Sequence, residues 1–111
     1  MKRFAWMATA ALLSTMPAAA LAQGPEKAAL CFACHGPAGA KPIAPEYPVL
    51  AGQHANYLAK ALHEYKAGAR KNPVMTAQAA TLSEQDIEDL SQFFSLQAGS
   101  LYTPSVHGAA Q

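Results

Sequence analysis

The sequence predicts an all-α fold with three principal helices joined by two ordered loops. Three observations carry that prediction. Apolar residues recur at helical spacing in two long stretches, 53–67 and 83–94. No stretch alternates apolar and polar residues as a half-buried strand would, and no internal repeat is present. Proline and glycine are concentrated between the helical stretches, where they interrupt regular structure.

Pro25 and Glu26 suit a first helical turn, with proline at its start. That helix is expected from about Pro25 to Cys34, carrying Ala28, Ala29, Leu30 and Phe32, and Gly36-Pro37 ends it. Residues 36–52 hold Gly36, Pro37, Gly39, Pro42, Pro45, Pro48 and Gly52, a density that forbids regular structure. A loop of that length in a compact domain is usually functional. Ile43, Tyr47, Val49 and Leu50 within it are expected to be buried, which argues against a disordered linker.

Gln53 to about Ala67 reads as an amphipathic helix through Tyr57, Leu58, Ala61, Leu62 and Tyr65, with Gly68 as its C-cap. Residues 68–82 form a second irregular stretch around Asn72-Pro73-Val74-Met75. The last helix has a marked start. Ser83 is the N-cap, Asp86 three residues on makes a weaker form of the capping box, and Leu82 with Ile87 can form a hydrophobic staple. Glu84, Asp86, Glu88 and Asp89 favour the helix dipole, and Ile87, Leu90 and Phe94 line one face with Phe93 beside them. This helix stops by Gly99, and the remaining residues read as a tail in which His107 has no assigned role.

The domain does not begin at residue 1. Lys2 and Arg3 open a positive region, an apolar run follows from Phe4 to Met16, and Ala20-Leu21-Ala22 is a small-residue cleavage site. Residues 1–22 are therefore expected to be a cleaved secretory signal peptide. The run is too short to span a bilayer, which takes about 20 apolar residues, so no membrane span is expected in the mature chain. No cysteine at the cleavage site supports a lipid anchor. The mature chain would be 23–111, with a core of about 24–98 and a tail of 99–111.

The full chain has 8 Lys+Arg and 7 Asp+Glu. Losing Lys2 and Arg3 leaves 6 against 7, a formal charge of −1 that argues against nucleic acid as a partner. A mature chain of this size is small for an unaided hydrophobic core. The polypeptide alone is expected to be marginal or unfolded.

The chemistry is concentrated at Cys31-Phe32-Ala33-Cys34-His35, which holds the only two cysteines. C-x-x-C-H is the spacing of a covalent c-type haem attachment. On a helix, positions i, i+3 and i+4 share a face, so both thiols and the imidazole can meet one flat ligand. Cys31 and Cys34 can form thioethers to the porphyrin vinyls while His35 reaches the iron. A redox dithiol would want a βαβ pattern, which is missing. A closed zinc site needs four ligands, and His54 and His63 are nine apart, outside the usual spacing for such a pair. A plain disulfide would leave His35 without a role.

What lies opposite His35 decides the function. Methionine with histidine is the electron-transfer arrangement. Met75, the one methionine of the expected mature chain, lies in the second loop rather than on a helix stripe. A core gap-filler is the ordinary reading of a methionine; its isolation downstream of a haem motif favours axial ligation. His54 and His63 are the alternatives. A ligating imidazole usually donates its second ring N–H to a carbonyl, and Pro42, Pro45 or Pro48 could provide one.

The chain resembles the class I c-type cytochromes. It is most similar to one domain of the bacterial cytochrome c4 type and to the single-haem c553 type. The resemblance rests on Cys31-Phe32-Ala33-Cys34-His35-Gly36, Tyr47-Pro48-Val49-Leu50-Ala51-Gly52-Gln53, Tyr65-Lys66-Ala67-Gly68-Ala69-Arg70, Asn72-Pro73-Val74-Met75 and the Leu82–Phe94 helix, in the family's order. It implies a small cytochrome c-like domain around one covalent haem c, with thioethers at Cys31 and Cys34 and axial bonds from His35 and Met75. It further implies a carbonyl from Pro48 on His35, and packing of the first helix on the last through Phe93 or Phe94. The dihaem type has two such domains where this chain has one.

The expected function is that of a periplasmic electron carrier, not an enzyme, which meets donor and acceptor proteins as a monomer in transient complexes. Lys66, Arg70 and Lys71 could steer an acidic partner, or be ordinary surface charge. One alternative is the haem subunit of a larger dehydrogenase or oxidase. Another is a gas sensor or peroxidase with an open sixth position.

Overall fold

The computed structural model describes residues 24–102. The expected signal peptide and residues 103–111, with His107, lie outside the described residues. Among the described residues there are four α-helices and no strand. The helices are α1 (Ala28–His35), α2 (Ala55–Ala67), α3 (Pro73–Ala80) and α4 (Glu84–Ser95), and a 3-10 turn at Pro37–Gly39 follows α1.

Helix α4 is the spine, and its start follows from its side chains. The Ser83 hydroxyl accepts from Asp86 N at 3.1 Å, and the Asp86 carboxylate accepts from Ser83 N at 2.7 Å, a complete capping box. Lys27, just before α1, donates to the same carboxylate at 2.5 Å and ties the start of α1 to the start of α4. That ammonium and Ser83's hydrogen bonds hold the Asp86 carboxyl down at about 2. Ile87, Leu90, Ser91 and Phe94 form the buried face.

Helix α1 lies on α4 through three aromatic rings. Phe32 is 6.1 Å from Phe93 and 6.0 Å from Phe94, the second pair edge-to-face at 82°. Both phenylalanines named from the resemblance take part. Helix α2 packs against both α3 and α4, and Gly68 caps it in the left-handed conformation with φ +77°. The shared core is Ala28, Leu58, Leu82, Ile87, Leu90 and Phe94. It is thin. The largest fully buried side chains are Ile87, Leu90 and Ser91.

Three features differ from the sequence reading. The stretch around Asn72-Pro73 is the start of a helix, not a loop, so Met75 sits in the first turn of α3. Asn-Pro usually marks a turn. Here Asn72 is the N-cap, its carboxamide oxygen accepting from Val74 N and Met75 N at 3.0 Å each, and Pro73 fills the first helical position, where its missing N–H costs nothing. The 36–52 loop contains the 3-10 turn and is held by backbone bonds. Ile43 N donates to Cys34 O at 3.1 Å, Leu50 N to Gly39 O at 2.8 Å and Gly52 N to Phe94 O at 3.1 Å. Ile43, expected inside, is 67% exposed.

Gly36 makes this loop possible. It ends α1 at φ +79°, ψ 172°, a region essentially restricted to glycine, and an added Cβ would lie 1.8 Å from the Lys41 carbonyl oxygen. The chain therefore turns immediately after His35 and returns over it.

Candidate functional site

The thin core surrounds a cavity of about 1120 Å³. That exceeds the ~300–1,000 Å³ of ordinary small-molecule pockets and suits a large ligand. Its wall takes Cys31, Cys34 and His35 from α1, and Tyr47, Pro48 and Leu50 from the loop. Tyr57, Leu58, Leu62 and Tyr65 come from α2, Asn72 and Met75 from the start of α3, and Leu90 and Phe94 from α4. The sequence-predicted site residues Cys31, Cys34, His35, Pro48 and Met75 thus share one cavity, although they lie on three elements.

His35 is 6% exposed. Its Nδ1 is 2.7 Å from the Pro48 carbonyl oxygen. A carbonyl has no proton to give, so Nδ1 carries the hydrogen and donates. In a neutral imidazole that leaves the lone pair on Nε2. Tyr47 meets the ring edge-on, with centroids 6.2 Å apart and planes at 67°. The imidazole is therefore fixed in tautomer and tilt by two neighbours of one loop.

Cys31 and Cys34 are both free thiols on the cavity wall. Burial pushes the Cys31 thiol up, the opposite of what a nucleophilic redox cysteine needs. Among the described residues no three His, Cys, Asp or Glu side chains converge as a metal site. His54 is exposed at the N-cap of α2, and His63 is exposed with Nδ1 3.6 Å from Glu84 Oε2. Neither lines the cavity. Lys66, Arg70 and Lys71 do not form one patch. The Lys66 ammonium donates to the Leu82 carbonyl, Lys71 is exposed, and Arg70 folds over Tyr57 and Tyr65 at the cavity wall.

Four cavity residues escaped the sequence reading as parts of a site. Tyr57 and Arg70 are brought together by the left-handed turn at Gly68. Leu101 lines the wall from the stretch read as tail. Ser91 is 1% exposed on the cavity wall, and its hydroxyl has no hydrogen-bond partner among the described residues. Its place four residues after Ile87, on the apolar face of α4, was the available signal.

The cavity volume, the two free thiols one helical turn apart and an imidazole with a bare Nε2 fit a covalently bound haem. Comparison with known proteins agrees. The family model "Cytochrome c" matches residues 21–95. The chain is 46% identical over 76 residues to cytochrome c4 of Pseudomonas aeruginosa, covering 68% of this chain and 37% of that protein. It is 42% identical over 79 residues to cytochrome c-554(548) of Halomonas halodenitrificans, covering 68% of this chain and 94% of that one. It is 38% identical over 111 residues to a thiosulfate dehydrogenase electron acceptor of Thiomonas intermedia, covering 99% of this chain and 51% of that one. The reduced cytochrome c4 of Pseudomonas stutzeri superposes with a TM-score of 0.57 at 39% identity, covering 61% of this chain and 38% of that chain.

The chain belongs to the cytochrome c family, as a class I c-type cytochrome of the c4 type. Haem c in covalent linkage and electron carriage, rather than catalysis, characterise that family. The chain spans about two fifths of the length of the cytochrome c4 it matches.

Proposed function

We propose that this chain is a periplasmic electron carrier with one haem c, bound by thioethers at Cys31 and Cys34 and ligated by His35 and Met75. When bound, haem supplies one-electron chemistry at its iron; the chain supplies attachment, orientation and exclusion of other ligands. Cys31 and Cys34 anchor it. His35 presents Nε2 because Nδ1 is committed to Pro48. Met75 is held in the first turn of α3 by the Asn72 cap. Held by both His35 and Met75, the group would serve electron transfer, and the two side chains would keep substrate molecules from it. Residues 1–22 supply the export signal, and no helix among the described residues is long and apolar enough to cross a membrane.

The observation that carries this reading is that Cys31, Cys34, His35 and Met75 line one cavity. Carbon monoxide tests it. The reduced protein should bind carbon monoxide slowly or not at all at neutral pH, and a Met75→Ala variant rapidly. Rapid binding by the unmodified protein would establish an open sixth position and the sensor or peroxidase reading.

A second reading is a bound subunit or dedicated acceptor of a larger dehydrogenase. The match to a thiosulfate dehydrogenase electron acceptor over 99% of this chain favours it. Purification from the native host distinguishes the two: a free carrier elutes alone, and a subunit elutes with a second chain.

A further inference from the structure

The residues that directly follow α4 return to the cavity. Among the described residues, Leu101 is the one cavity-lining residue beyond α4. It lies past residue 95, where the match to the family model stops. At 37% exposure it sits at the rim, whereas Leu90, deeper in the wall, is 1% exposed.

Residues 97–101 are held on the loop that carries Tyr47 and Pro48. The Phe94 carbonyl accepts from Gln97 N at 3.2 Å and from Gly52 N at 3.1 Å, so the end of α4, the loop and the following segment meet at one oxygen. A carbonyl has two lone pairs and can take both donors. Gln97 also donates from Nε2 to the Phe93 carbonyl at 2.8 Å. Further on, the two backbones cross at a pair of glycines. An added Cβ at Gly99 would lie 2.7 Å from Ala51 Cβ, and one at Gly52 would lie 3.0 Å from the Leu101 carbonyl oxygen. The segment therefore approaches the loop more closely than side chains at these positions would permit. Ala51, at the crossing, is fully buried.

We propose that residues 97–101 form a strap that closes the rim of the cavity, with Leu101 as the side chain that keeps water from the bound haem. The inference rests on the haem reading above. Two effects follow from one crossing. The strap covers Ala51-Gly52 and so steadies the end of the loop whose Pro48 carbonyl fixes His35. Leu101 adds apolar surface at the rim, and the apolar shell of such a site controls solvent access and, through it, the potential. Water stabilises the more highly charged, oxidised state over the reduced one. Opening the strap therefore lowers the reduction potential.

The test compares holoproteins of the unmodified chain, a chain ended after Tyr102, a chain ended after Leu96, and Leu101→Ser. The potential is read by spectroelectrochemistry at neutral pH, and amide hydrogen exchange by NMR. Ending the chain after Tyr102 keeps the strap, so that form should match the unmodified chain. Ending it after Leu96 should lower the potential and speed exchange of the Ala51 and Gly52 amides by about tenfold or more. Leu101→Ser keeps the backbone crossing and should lower the potential with little change in exchange. Should the chain ended after Leu96 fail to accumulate as holoprotein, the potential of Leu101→Ser decides. Unmoved potentials in the strap variants would overturn the proposal even if exchange rises, because the segment would then brace the loop without sealing the cavity. A full drop already present in the chain ended after Tyr102 would assign the effect to residues 103–111 and overturn it as well. An unmodified chain without haem would sink the function proposed above; a haem protein with unmoved potentials sinks the strap alone.

Discussion

Phe94→Ala should loosen the helix that carries Cys31 and Cys34. Phe94 is 3% exposed and meets Phe32 of α1 edge-to-face at 6.0 Å and Phe93 at 5.2 Å. It also fills the space above Gly39, where an added Cβ would lie 2.8 Å from Phe94 Cδ1. Truncation removes a buried ring, breaks the contact between α1 and α4 and enlarges a cavity the ring already lines. Losses of this kind run to about 3–5 kcal/mol. Against the ~5–15 kcal/mol that holds a typical domain together, that is a large fraction. For a domain of this size it corresponds to a drop of at least ~12 °C in melting temperature. Phe93 is only partly buried, so Phe93→Ala should cost roughly half as much, in proportion to the area it hides. The assay is guanidinium denaturation of the oxidised holoprotein, followed by helical circular dichroism. A loss below about 1 kcal/mol for Phe94→Ala, or one smaller than for Phe93→Ala, would refute the view that Phe94 fastens α1 to α4.

Three further outcomes are expected. Gly36→Ala forces a Cβ to within 1.8 Å of the Lys41 carbonyl oxygen at a backbone conformation side chains avoid, so it should cost at least about 2 kcal/mol and weaken the sulfur–iron and low-spin spectral features by displacing the loop over His35; an unchanged melting temperature contradicts it. Asn72→Ala should cost ~0.5–2 kcal/mol while Asn72→Asp, which keeps the acceptor oxygen, restores most of it; equal melting of all three proteins would show that the cap does not matter. Asp86 has its carboxyl held at about 2 against an ordinary 3.8, so its stabilising contribution is present above about pH 4 and lost as the pH falls towards 2. The gap in melting temperature between the unmodified chain and Asp86→Asn should therefore be steady at neutral pH and close on acidification, and a gap that is constant down to pH 2 would rule this out.

The parts legible in the sequence were those specified locally. Helices α2 and α4 have apolar residues at helical spacing, Gly68 and Ser83 mark their ends chemically, and the C-x-x-C-H spacing is local to a single helix. Helix α3 was not legible because its Asn72-Pro73 opening is also a turn signature, and Val74 to Ala80 has no apolar stripe to decide between them. Ile43 was misplaced because the loop that carries it is held by backbone hydrogen bonds and does not need its side chain. The pairing of His35 with the Pro48 carbonyl depends on the path of a thirteen-residue excursion, which composition does not set. Arg70 looked like one of three surface cations. Only the fold shows that the turn at Gly68 lays it over Tyr57 and Tyr65, away from Lys66 and Lys71.

The central claim is that one iron porphyrin is joined to Cys31 and Cys34 and gripped by His35 and Met75. The direct test combines the intact mass with oxidised and reduced absorption spectra of the protein matured in its own host. The expected result is a mass of residues 23–111 plus one haem, with a six-coordinate low-spin c-type spectrum. The oxidised form should also show a near-infrared sulfur–iron band that disappears in Met75→Ala. A colourless protein whose two cysteines react with a thiol reagent would contradict it.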